Sequence, residues 1–145
     1  MQKFSISKLV DGLNDIPEDI FTCDNVYQFL GETPVDVDTI TKYFHWSPNF
    51  YTRNLIHKND RFEVMAICWE KGQASRIHNH WDQKCWMMVP VGRLQGQNFA
   101  VAEIDESRGH CRLIETDAFE LKDCLAAKVE LDSGAHITRS TLHDL

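Results

Sequence analysis

The chain has 145 residues, of which 43% are hydrophobic and 26% charged, with a formal net charge of -7; that is enough to bury one core without covalent or metal staples, and too apolar for a disordered segment. The acidic balance and the absence of a Lys/Arg-rich run give no electrostatic footprint for nucleic acid or an anionic membrane, so the expected partner is a small molecule. MQKFSISKLVDGLND holds no uninterrupted apolar core of signal-peptide length, and no later stretch approaches the roughly 18 apolar residues of a membrane span, so a cytoplasmic monomer is the expectation.

Residues 5 to 45 read as helical. Ile6, Leu9, Val10 and Leu13 recur at helix spacing, and Val26, Phe29 and Leu30 repeat the pattern after Asp24. A third helix is expected from about Val37 to Phe44, with Thr33-Pro34 as the break before it and Asp36 or Asp38 as its cap. After Pro48 the pattern changes to short β-rich runs: FYTRNLIH, RFEVMAICW, CWMMVPV, LQGQNFAVAEI, CRLIET and AFELK. They are separated by KND, EKGQ, Gly92-Arg93 and DESRGH, a spacing of strands and turns that suggests a barrel or sandwich. The expected architecture is mainly β in an α+β arrangement: one domain over 1–145, with two or three short helices to about residue 46 and a β-barrel from about 47 onward. The five cysteines (Cys23, Cys68, Cys85, Cys111, Cys124) show no CxxC spacing, which argues against a disulfide framework and a zinc ribbon.

The informative segment runs from Gly72 through Ile77-His78-Asn79-His80 to Cys85 and Gly92. On a strand, residues i and i+2 share a face, so His78 and His80 converge and can share one metal. Neutral imidazole suits iron, copper, nickel or zinc, the choice being set by the remaining ligands. The alternative for an isolated HxH is a pair of surface histidines on an edge strand. Here Gly72 and Gly92 stand where tight turns into and out of a metal-bearing hairpin would need them.

This stretch resembles the first cupin motif: a glycine, five residues, HxH, a glutamate a few residues on, then six residues and a glycine. Every element fits except the glutamate, whose place Cys85 takes, and that replacement is the mark of the cysteine dioxygenase family. The resemblance extends through Tyr51-Thr52-Arg53-Asn54-Leu55 and Cys68-Trp69, which look like that family's YTRNL and CW segments. It covers about residues 48 to 100 well and the helical start loosely.

The resemblance implies a cupin-type jelly-roll barrel, Fe(II) as the metal, and a third histidine on a later strand. His136 is preferred, with His143 as the alternative; His110, after Arg108-Gly109, reads as an exposed loop histidine. L-cysteine would chelate iron through sulfur and amine, and both atoms of O2 would go to sulfur, giving cysteine sulfinate. Three neutral imidazoles would leave the metal its full charge for an anionic thiolate. Arg53 matches the arginine that holds the substrate carboxylate, a role suited to a permanently charged planar fork. Tyr51, on the same strand face, would hydrogen-bond near the substrate or sit as a core tyrosine; Cys85 would shape the site or fill it as a small apolar residue. Trp69 reads as packing. In animal-like members the matching cysteine forms a thioether with a tyrosine after the third histidine, and no tyrosine follows His136 here. Cys85 is therefore expected to stay a free thiol, and the C-terminal barrel strands are expected to be missing. The competing readings are a thiol dioxygenase acting on 3-mercaptopropionate, disfavoured by Arg53, a truncated or degenerate cupin without activity, and another metal cupin such as an isomerase or a non-thiol dioxygenase, against which Cys85 in place of glutamate counts.

Overall fold

Among the described residues, Ser5 and Thr22 start the two α-helices. In the computed structural model, which describes residues 2–78, 83–129 and 135–140 (129 and 135–140 through their backbone), α1 spans Ile6–Asp15 and α2 spans Cys23–Glu32. The Ser5 and Thr22 hydroxyls each accept an end N–H, from Lys8 and Asn25, at 3.2 Å. Leu9, Val10 and Leu13 of α1 and Val26 and Leu30 of α2 are buried, as their spacing demanded. The expected third helix is instead two separate 3-10 turns, Val37–Thr39 and Thr41–Tyr43. The run is rich in β-branched residues, and the hydroxyls of Thr39 and Thr41 donate back to the carbonyls of Asp36 and Asp38 at 2.7 and 3.3 Å, which competes with a continuous helix. Asp36 does cap the first turn, accepting from the Asp38 N–H at 3.1 Å.

Besides a further 3-10 turn at Glu18–Ile20, the remaining elements are strands: β1 (Thr52–Lys58), β2 (Glu63–Cys68), β3 (Cys85–Met88), β4 (Arg93–Asp105), β5 (His110–Lys122), β6 (Ala126–Val129) and β7 (Ala135–Ser140). The described strands form three antiparallel sheets, β1-β2, β3-β6 and β5-β4-β7, which do not close into one. The fold is thus mainly β with two helices. CRLIET and AFELK, expected as separate strands, are one continuous β5; the irregularity in register between Gln97 and Phe99 absorbs Thr116-Asp117 without breaking the ladder, and a second, between Val101 and Glu103, lies opposite Leu113 and Arg112. His110, expected in an exposed turn, is the exposed first residue of β5, opposite Asp105.

The β1-β2 ribbon has two unlike faces. Ile56, Val64 and Phe62 pack with Leu9, Leu13, Val26, Leu30, Val35, Ile40 and Ala126 in a core shared with the helices. Trp86 of β3 ties the next sheet to that core: its indole N–H donates to the Cys23 carbonyl at 3.0 Å and its ring meets Phe21 edge-on at 6.1 Å. Lys128 of β6 pairs with Asp24 at 2.5 Å, beside it. The helices therefore back the ribbon on one side only.

Between β5 and β6 the chain makes a tight turn in which the Leu125 N–H donates to the Lys122 carbonyl at 2.9 Å. Asp123 (φ 54) and Cys124 (φ 61) occupy the left-handed region that glycine usually fills. Cys124 is buried, its N–H donating to Val89 at 2.9 Å and its thiol lying 3.9 Å from the Val35 carbonyl oxygen. Among the described residues no helix is long and apolar enough to cross a membrane.

Candidate active site

The opposite face of β1-β2 carries the site. Thr52 pairs with Cys68 and Arg53 with Ile67; continuing that antiparallel register one step sets Tyr51 opposite Trp69. Their rings stack with centroids 4.2 Å apart and planes 21° from parallel. Because strand side chains alternate, Tyr51, Arg53 and Leu55 share this face with Trp69, Ile67 and Met65. The Arg53 guanidinium carbon lies 6.0 Å from the Tyr51 ring centroid, within reach of a cation–π contact.

The segments that bear Tyr51 and Trp69 are laced together from behind. Glu70 to Gln73 form a turn closed by the Gln73 N–H to the Glu70 carbonyl at 3.0 Å, with Gly72 at φ +85. The Gln73 side chain accepts from the Glu70 N–H at 2.8 Å and donates to the Ser47 carbonyl at 2.7 Å. The Thr52 hydroxyl donates to the His45 carbonyl.

A cavity of about 970 Å³ opens at the ribbon, and Tyr51, Arg53, Trp69, Ser75, His78 and Cys85 all line it, along with core residues such as Leu9, Val26 and Ile56. His78 lies in the connection between β2 and β3 and is half-buried. Its Nδ1 is 2.6 Å from the Arg76 carbonyl oxygen. A carbonyl only accepts, so Nδ1 carries the hydrogen and the lone pair of the neutral ring is on Nε2, the state a metal-binding imidazole requires. Cys85, the first residue of β3, is a half-buried free thiol. Burial pushes its pKa up, and the Arg53 charge pulls the other way.

Of the residues singled out in the sequence, Tyr51, Arg53, His78 and Cys85 meet at this cavity. His80 and His143 lie outside the described residues. His136 is placed through its backbone, on β7 opposite Asn98 of β4. Among the described residues no three His, Cys, Asp or Glu side chains form a metal cluster; the donor chemistry of His78 nonetheless fits a transition metal. His110 does not line the cavity. Trp69, read as packing, is a cavity wall as well. Its parity with Ile67 and Met65 was visible in the chain, but the register that sets it over Tyr51 was not.

The family model described as cysteine dioxygenase type I matches residues 4–136. The chain belongs to this family. It is 41% identical to cysteine dioxygenase type 1 of Bos taurus over 51 residues, covering 34% of this chain and 26% of the bovine protein. The Danio rerio protein of the same name is 41% identical over 46 residues, 31% of this chain and 23% of that one, and the Homo sapiens protein 39% over 51 residues, 34% and 26%. The matched stretch thus spans about a quarter of the length of these cysteine dioxygenases.

Proposed function

We propose that this chain is an iron-dependent thiol dioxygenase that converts L-cysteine and O2 to cysteine sulfinic acid, acting in the cytoplasm as a single, monomeric cupin-type domain. The observation that carries the reading is the meeting of Tyr51, Arg53, His78 and Cys85, drawn from separate segments of the chain, at one cavity. Family membership supports the reaction class.

His78, His80 and His136 would hold Fe(II). When bound, iron supplies the redox chemistry that O2 needs and lowers the pKa of the substrate thiol. Arg53, at the exposed rim, binds the substrate carboxylate through its planar fork and so fixes which end of the amino acid enters. Tyr51 offers its hydroxyl near the same group. The Cys85 thiol, kept largely protonated by burial, adds no negative charge to a site that must accept a thiolate. Both oxygen atoms end on sulfur, so the thiol RSH becomes the sulfinic acid RSO2H with no other reductant. The alternative substrate 3-mercaptopropionate, which has a carboxylate but no amine, is the less favoured one, because Arg53 leans towards cysteine.

A second reading, a degenerate cupin without activity, draws on the three unclosed sheets and on the exposure of Leu55 (55%), Met65 (40%) and Ile67 (37%) on the cavity face. Metal analysis of purified protein with oxygen uptake on L-cysteine separates them. Iron with uptake is expected. Absence of iron binding would favour the degenerate form, and iron without thiol turnover a different metal cupin.

A further inference from the structure

Trp69 stands directly across the ribbon from Tyr51, and the two rings overlap at 4.2 Å with nearly parallel planes. Arg53 is two residues along from Tyr51 on the same face, its guanidinium 6.0 Å from the Tyr51 ring. The order on the sheet is indole, phenol, guanidinium. We propose that Trp69 is the positioning residue for carboxylate recognition: through its stack on Tyr51 it fixes the surface against which Arg53 rests. This inference rests on the reading of Arg53 as the carboxylate-binding residue.

The physical need for such a residue is plain in the surroundings. Arg53 is exposed, and its cross-strand partner Ile67 is 37% exposed and offers it no hydrogen bond. A long side chain in that setting samples many rotamers, and each one lost on binding weakens affinity. A flat ring held in place beside it narrows the choice before substrate arrives. Tyr51 can serve only if its own ring is held, and Trp69 is the ring stacked on it. The backbone behind both rings is already clamped by Gln73 and Thr52, so the remaining freedom is in the side chains.

The test compares Trp69→Leu, which keeps apolar volume without a ring, with Trp69→Phe, which keeps a ring, in iron-loaded full chain. With L-cysteine, Trp69→Leu should raise KM about two- to tenfold, the range an aromatic pair is worth, with kcat within about twofold of wild type. Trp69→Phe should restore most of the loss. With cysteamine, which lacks the carboxylate, neither variant should move KM. Equal losses on both thiols, or no rescue by phenylalanine, would overturn the positioning role. A second readout needs no turnover: the Arg53 guanidinium NMR signal should shift toward the free-arginine value in Trp69→Leu and return in Trp69→Phe. If wild type failed to oxidise L-cysteine yet the Arg53 signal behaved this way, the proposed activity would fall and the stack would stand. An Arg53 signal indifferent to Trp69 would remove the stack whatever the activity.

Discussion

Arg53 and Cys85 sense each other across the cavity, and the thiol is where that can be measured. Burial raises the Cys85 pKa above its ordinary 9.0, and Arg53 only partly offsets it. Iodoacetamide at pH 7 should therefore label exposed Cys111 well ahead of Cys85; equal rates by peptide mass spectrometry would contradict the burial. The same shift has a stability consequence. Above pH 9.0 the unfolded chain gives up this proton while the folded chain keeps it, so folded stability is intact below that pH and declines as pH rises through the folded pKa. Thermal melts from pH 8 to 10.5 should fall less steeply for Cys85→Ala than for wild type. Arg53→Gln should impair oxidation of L-cysteine far more than of cysteamine, by about tenfold or more for a charge-assisted bidentate contact; matched losses would take Arg53 off the carboxylate. Arg53 and Cys85 were singled out in the chain through the YTRNL segment and the cysteine in the place of the motif glutamate, since spacing and strand parity alone left each of them readable as an ordinary strand residue. The role of Trp69 was not legible, since it depends on which strand lies opposite and in what register.

At the level of elements, Gly96 shows what register adds. It pairs with Phe119 across β4-β5, and a Cβ built on it would meet the Phe119 ring at 2.1 Å. The ring covers the glycine. Gly96→Ala should cost about 1–3 kcal/mol by overpacking, and Phe119→Leu in that background should recover part of it; urea denaturation showing a neutral Gly96→Ala would mean that the ring moves aside freely. The chain announced its helices well where apolar residues recurred at 3.6-residue spacing, as in Ile6, Leu9, Val10 and Leu13 and again in Val26, Phe29 and Leu30, although the caps Ser5 and Thr22 went unread. It misled at 37–44, where threonine hydroxyls compete with the helix, and at Thr116-Asp117, where turn-forming residues sit inside a strand whose partner tolerates irregular pairing. Strands β6 and β7 went unread because AAKV and AHITRS carry little alternation of their own.

Across the whole molecule, the helices pack on one face of the β1-β2 ribbon and Tyr51, Arg53 and Trp69 stand on the other, while residues of both faces line the cavity, so folding and binding draw on the same strands. Val26, 1% exposed in the core shared with the helices, should cost about 2 kcal/mol when cut to alanine, read by urea denaturation. Metal should act through His78. Anaerobic Fe(II) at about 100 times its Kd should stabilise the native state by about 2.7 kcal/mol. That gain, read as a rise in Tm, should vanish in His78→Ala; a variant that kept the full rise would exclude His78 as a ligand.

The turn at Asp123 and Cys124 makes a built-in gauge of local opening. Its thiol is sealed between the Val35 carbonyl and the backbone joined to Val89, in a conformation that an L-residue holds only while its neighbours enforce it. A reagent reaches that sulfur only when the joint between β5 and β6 comes apart. The ratio of Cys124 labelling in the unfolded chain to that in the native chain is therefore a protection factor for the seating of that turn against Val35 and Val89, and its logarithm gives the free energy of opening. If the joint opens well below the global unfolding energy, the β3-β6 sheet behaves as its own cooperative unit, exchanging with solvent while the helical core stays shut.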